Sequence, residues 1–155
     1  MDVGCRQGEF STHLEDDFQK IFCFDFRDKT REFARHVKDM SKFQYTVVGI
    51  GDSERTTHTS STRVGRIKER GTVEVQIRTL DSFKIVDVGF IKYDVEGFET
   101  KALIGSMDTI KRYWPVVIVE QNRGNHDAVN LLKSIGYQCL GAYPPRNHDY
   151  LLVKN

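Results

Sequence analysis

The chain has 155 residues, 39% hydrophobic and 29% charged, which suits one soluble domain around one buried core. Its 23 basic and 22 acidic residues leave a net charge of +1, so nothing electrostatic argues for nucleic acid or a membrane surface as partner. No apolar run approaches the ~18 residues of a membrane span. Three scattered cysteines, Cys5, Cys23 and Cys139, fit free thiols in a reducing compartment, so the expectation is a single cytoplasmic domain over residues 1–155.

The chain opens on "MDVGCRQGEFS" (1–11), where an acid and two glycines precede an amphipathic run. Phe10, His13, Leu14 and Phe18 share a helical face, which predicts a helix with His13 turned inward. "KIFCFDF" (20–26) reads as a buried strand. Asp28 is placed to N-cap a helix that turns Phe33, Val37 and Met40 inward. "FQYTVVGIGD" (43–52) is a further strand ending in glycines. Residues 53–71 are polar and lack a hydrophobic period, as in a loop with one edge strand at most. "TVEVQIRTL" (72–80) alternates like a half-exposed strand.

"VDVGFIKYDV" (86–95) predicts a central strand, and the next helix carries Phe98, Ala102, Leu103, Met107 and Ile110 inward. Pro115 takes Trp114 out of helical geometry and opens the strand "VVIVE" (116–120). Ala128, Leu131, Leu132 and Ile135 mark the last helix, with Gly136 at its C′ position. "YQCLGAY" and "DYLLVKN" close the chain as an antiparallel pair, because the connection through Pro144 and Pro145 is short. Alternating strands and helices imply a mostly parallel sheet with helices on both faces. Ligands of such sheets lie beyond the strand carboxyl ends, where strand order reverses.

Two clusters carry the chemistry. Gly4 and Gly8 bracket the first turn, and Asp25 follows Gly4 by 21 residues at the end of the second strand. A carboxylate there can accept both hydroxyls of a ribose, in a nicotinamide site or in an S-adenosylmethionine site. The spacing is GxxxG with Arg6 inside it, a poor fit to the GxGxxG turn that holds a pyrophosphate. In the second cluster Lys92, Asp94 and Glu96 project to one side at ~7 Å spacing if the strand runs that far. Such charges must line a crevice or pair with each other. Asp94 is either a general base for a hydroxyl or the partner of Lys92. Glu99 sits in a first helical turn, where the dipole alone would favour it. Glu120, His126 and His148 fall near the ligand side, as substrate contacts or as surface groups. No full ligand set for a metal is visible. The basic loop 53–71 is either a solvated segment or a lid for an acidic or phosphorylated acceptor.

Taken together, "DVGCRQGEFS", "FCFDF", "VVGIGD", "TLDSF", "FIKYDVEGFE…LIGSMDTI" and "WPVVIVE" resemble an FkbM-type methyltransferase, a class I S-adenosylmethionine-dependent family, in order and at the expected spacing. The resemblance implies an α/β, Rossmann-like sheet of order 3-2-1-4-5-7-6 with the last strand antiparallel. It implies methyl transfer to a hydroxyl of a sugar, glycan or small natural product, with S-adenosylmethionine as cofactor. By position, Asp2, Gly4 and Gly8 would hold the methionine end and Asp25 the ribose, with Ile50 and Asp52 near the adenine. Asp94, Glu96 and Glu99 would form the acidic cluster beside the transferred methyl. Cys5-Arg6 stands where the family has Ala-Asn, and Phe26 where it has proline. The family begins well before this first motif, so the expectation is a minimal chain or one lacking an N-terminal substrate-covering segment. The other reading is a cofactor-binding module without turnover. Oligomeric state and acceptor identity are not legible.

Overall fold

A computed structural model describes residues 1–59, 71, 73–121, 124–143 and 148–154. Among these the strands are β1 (Asp2–Val3), β2 (Ile21–Asp25), β3 (Phe43–Val47), β4 (Gly49–Ile50), β5 (Arg55–Thr59), β6 (Val73–Arg78), β7 (Phe90–Tyr93), β8 (Val116–Gln121), β9 (Tyr137–Tyr143) and β10 (His148–Lys154). The α-helices are α1 (Thr30–Phe33), α2 (Glu99–Ile104), α3 (Met107–Tyr113) and α4 (Asp127–Ser134). The large sheet runs β3-β2-β1-β7-β8-β10-β9, which is 3-2-1-4-5-7-6 when its own strands are counted along the chain. β10 is antiparallel to both of its neighbours, and the remaining pairings are parallel. A small sheet, β4-β6-β5, stands beside it. The chain passes from one sheet to the other at Val48, whose N–H donates to the Asp25 carbonyl at 2.9 Å.

Two residues suffice for β1 because both of its edges are paired. Asp2 registers with Cys23 and Lys92, and Val3 with Phe24 and Tyr93. The ladder continues past its ends: Gly4 N–H donates to Phe24 O at 2.8 Å, and Asp94 N–H to Val3 O at 2.9 Å. Val3, Phe24, Tyr93 and Val119 pack against α2, α3 and α4 in one core. Cys5, Leu14, Ile21, Cys23, Phe33 and Phe43 form the second core on the other face. The three cysteines are free thiols.

Four expectations are corrected. The helix over 10–18 is only a 3-10 turn, Ser11–Leu14, with His13 exposed. The Asp28 carboxylate does accept from Thr30 N–H at 3.1 Å, yet α1 is a single turn. Lys38 and Asp39 N–H groups donate to the Glu15 carboxylate instead of to helical carbonyls, so Met40 ends 38% exposed. The central strand is confined to 90–93, between a left-handed Asp87 at φ +55° before it and a left-handed turn at Glu96 and Gly97 after it. The helix through Ile110 is split at Gly105 and Ser106, and Asp81 of "TLDSF" caps the second half. Its carboxylate accepts from Asp108 N–H at 3.1 Å and Thr109 N–H at 2.8 Å. Most of the 53–71 loop lies outside the described residues, as do the prolines before β10. No helix among the described residues is long and apolar enough to cross a membrane.

Candidate functional site

The strand order reverses between β1 and β7, and the loops that leave their carboxyl ends open a crevice there. Gly4 sits at φ +91°, and a Cβ on it would collide with the Asp94 carbonyl. The two loops therefore touch backbone to backbone, which requires glycine. Gly8, at φ +87°, serves a different contact: its Cβ would come within 2.8 Å of the Phe33 ring, so it seats the turn on α1. Between them Arg6 adopts φ +51°.

The crevice is divided. On one side a narrow slot runs between Val3, Phe24, Asp25, Ile50 and Phe98, with about 20 Å³ of free room, little more than one water needs. On the other side an open basin of about 600 Å³ is bounded by Asp2, Cys5, Glu9, Phe10, Lys92 and Glu96. Gly4, Arg27 and Asp94 border both.

At the basin floor Asp2 is fully buried. Its Oδ2 accepts from Ser11 Oγ at 2.5 Å, while Oδ1 has no partner among the described residues. Burial pushes its carboxyl up, against the pull of Lys92. Lys92 is 7% exposed, and its Nζ donates to Asp94 Oδ2 at 2.7 Å and lies 5.1 Å from the Phe10 ring centre. Burial alone would lower that ammonium; Asp2 and Asp94 raise it instead. Burial would likewise raise the Asp94 carboxyl, but a hydrogen bond with Glu120 and the Lys92 charge hold it below the usual range. Glu120, the hydrogen-bond partner of Asp94, registers with Asp149, so the row of acids continues across the sheet. Burial raises the Asp149 carboxyl.

The strand ends at Tyr93, so Glu96 does not continue the Lys92–Asp94 row. It occupies a left-handed turn, φ +55°, at the basin rim. Glu99 is 4% exposed, and its Oε1 accepts from Val95 N–H at 3.2 Å and Gly97 N–H at 2.9 Å. It holds the turn that carries Asp94 and Glu96. Burial raises this carboxyl too.

Asp25 lines the slot with every lone-pair position used. Oδ1 accepts from Arg27 N–H at 2.8 Å and Arg27 Nε at 2.9 Å; Oδ2 accepts from Arg27 Nη2 at 2.9 Å and Arg6 N–H at 3.0 Å. Tyr45 Oη, on β3, hydrogen-bonds the carbonyls of Arg27 at 3.0 Å and Arg6 at 3.1 Å, pinning both backbones. Ile50 lines the slot and is 2% exposed. Asp52 lies beyond the rim, and its carboxylate pairs with Arg55 at 2.8 Å. Thus Asp2, Gly4, Asp25, Ile50, Asp94 and Glu96 converge on the crevice, whereas Gly8, Asp52 and Glu99 support its surroundings. Residue spacing did not reveal Ser11, Arg27 or Tyr45. The one available signal was a cation two residues after the acid of a strand end. His126 Nδ1 lies 3.2 Å from Tyr150 Oη, away from both cavities. No cluster of potential metal ligands is found among the described residues.

The family model described as "Methyltransferase FkbM domain" matches residues 13–139. A crystal structure of Methyltransferase FkbM from Methylobacillus flagellatus KT superposes with a TM-score of 0.72 at 20% identity. The match covers 98% of this chain and 42% of that one. The chain thus spans less than half the length of that protein. No curated protein matches the sequence.

Proposed function

The chain belongs to the FkbM methyltransferase domain family, and from that premise we propose that it transfers the methyl group of S-adenosylmethionine to a hydroxyl of a sugar, glycan or small natural product. The observation that carries this reading is Asp2 Oδ1, a fully buried acceptor without a partner among the described residues, at the floor of the basin. Such an atom costs stability unless something charged completes it. The ammonium of a methionine group suits it in charge and in donor count. The other residues fit the same ligand: Ile50 and Phe98 flank the slot for an adenine, and Asp25 has the carboxylate a ribose diol needs.

S-adenosylmethionine supplies an electrophilic methyl group, so the protein need only align the acceptor, exclude water and receive a proton. In the basin Asp94 is the group placed to do so. Lys92 keeps it ionised at neutral pH and fixes its Oδ2. A carboxylate below the usual range is a weak base. A hydroxyl oxygen undergoing alkylation becomes strongly acidic and surrenders its proton even to a weak base. Glu99 orients Asp94 through the 95–97 turn, and Glu96 at the rim faces the acceptor.

Calorimetric titration with S-adenosylmethionine and with NAD, followed by assay for S-adenosylhomocysteine with pooled sugars and glycans, tests the proposal. Binding of the first and not the second, with turnover, is the expected result. A folded protein that ignores S-adenosylmethionine would overturn it. Binding without turnover favours the module reading. Asp94→Asn keeps an oxygen for Lys92 and should lower kcat by ~10²–10⁴-fold, while affinity for S-adenosylhomocysteine changes less than about threefold.

A further inference from the structure

The slot and the basin are adjacent, and the slot, with about 20 Å³ of free room, does not by itself accommodate an adenosyl group. Two side chains border both, Asp94 and Arg27, and Arg27 is the one that lies on Asp25. Its side chain is 11% exposed, and its guanidinium delivers two parallel N–H donors, Nε to Oδ1 and Nη2 to Oδ2, each at 2.9 Å, onto Asp25. A vicinal diol offers the same thing, two neighbouring donors to the two oxygens of one carboxylate. The remaining Asp25 contacts come from the backbone N–H groups of Arg27 and Arg6, which Tyr45 holds in place. They remain when the guanidinium leaves. With four donors already on two oxygens, a ribose has no free position on Asp25 until it does.

We propose that Arg27 is an internal ligand of the ribose position, occupying Asp25 in the free protein and competing with the nucleoside for it. This rests on the reading of the crevice as an S-adenosylmethionine site. Arg27 has somewhere to go, because it already borders the basin. Its departure joins slot and basin into one trough from Ile50 past Asp25 to Asp2. The affinity observed for any ribose-bearing ligand is then the intrinsic one reduced by the fraction of molecules in which Arg27 has let go.

The effect of removing the side chain distinguishes this from a merely structural salt bridge. Arg27→Ala leaves the buried Asp25 carboxylate with two donors instead of four, so the fold loses stability. The same variant should bind both adenosine and S-adenosylhomocysteine about tenfold or more tightly than the parent chain. Arg27→Lys keeps the charge but not the fork, and should fall between the two. A structural role alone would lower stability and affinity together. Titrations of the full chain and both variants with the two ligands, alongside thermal unfolding, give the answer. If Arg27→Ala folds and binds no tighter than the parent, the inference is wrong while the cofactor reading stands. If Arg27→Ala fails to fold, Arg27→Lys carries the same comparison. A crystal of the S-adenosylhomocysteine complex with Arg27 Nε still on Asp25 Oδ1 also overturns the inference. If no folded variant binds either ligand, the cofactor reading fails and this inference with it.

Discussion

Position 6 demands a left-handed backbone, and the chain meets that demand with an arginine. The φ of +51° follows from two fixed neighbours: Gly4, pressed on Asp94, and Cys5, buried in the second core. Asparagine, the family's residue there by resemblance, tolerates such a conformation well; arginine does so less readily. What the position contributes is its backbone N–H, donated to Asp25 at 3.0 Å. Arg6→Gly should therefore stabilise the chain, by roughly 0.5–1 kcal/mol once the extra flexibility of the unfolded glycine chain is deducted. Denaturant titration would read this as a higher midpoint at unchanged slope. A lower midpoint would mean that the Arg6 side chain makes stabilising contacts of its own. The departure at position 6 is thus first a matter of backbone conformation, while the Arg6 side chain also borders the basin.

At the scale of elements, most strands and the last helix, α4 with Gly136 after it, were legible, and the first two helices were not. The inner strands β2, β7 and β8 have neighbours on both sides, so their apolar runs at 21–25, 90–93 and 116–121 appear directly as sequence. The first two helical patterns misled because tertiary partners outbid the i→i−4 ladder. Glu15 takes the N–H groups of Lys38 and Asp39. None of these pairs is local, and no periodicity encodes them. The break between α2 and α3 has the same origin. Gly105 lies against Gly51, where a Cβ would meet the Gly51 carbonyl. Asp81, from the loop after β6, then starts α3 afresh. Hence "TLDSF", which carried part of the family resemblance, acts here as a clamp on a helix junction behind the crevice. Gly105→Ala should cost about 1–3 kcal/mol or more by overpacking. Gly89→Ala, where the added methyl would rest 3.7 Å from the Phe18 ring, should cost clearly less. Equal costs in chemical denaturation would show that the approach to Gly51 relaxes freely. The candidate site divided along the same line: strand-end residues Asp2, Asp25 and Asp94 could be placed from sequence, whereas Arg27 on Asp25 depends on a rotamer that spacing cannot specify.

For the whole molecule, the buried acids set opposite demands on stability and on binding. Asp2, Glu99 and Asp149 all have carboxyls raised by burial. A raised folded-state value means that the folded chain binds more protons than the unfolded chain between the two values. Stability from these groups therefore grows as pH falls through their folded values and is complete below the ordinary carboxylate range. Asp94, held down by Glu120 and Lys92, has the opposite sign: its contribution is present above the ordinary value and is lost as pH falls through its folded one. Thermal stability should accordingly rise from neutral into mildly acidic solution and fall again in stronger acid. Ligand affinity should not follow that rise. The groups facing Asp2 are Lys92 on β7, Asp94 just past its end, Ser11 after the first turn and the Met1 amine, so protonating Asp2 removes the charge that an incoming ammonium would meet. Affinity for S-adenosylhomocysteine should therefore weaken over the same mildly acidic range in which the fold strengthens. Asp2→Asn, isosteric and uncharged, should bind more weakly at neutral pH by ~1–3 kcal/mol, lose most of the pH dependence of binding, and unfold no more easily than the parent. Parallel melts and titrations across that range decide the matter. An affinity that tracks stability, or one indifferent to pH in the parent chain, would remove Asp2 from the binding site and leave its unpartnered oxygen as a cost borne by the fold alone.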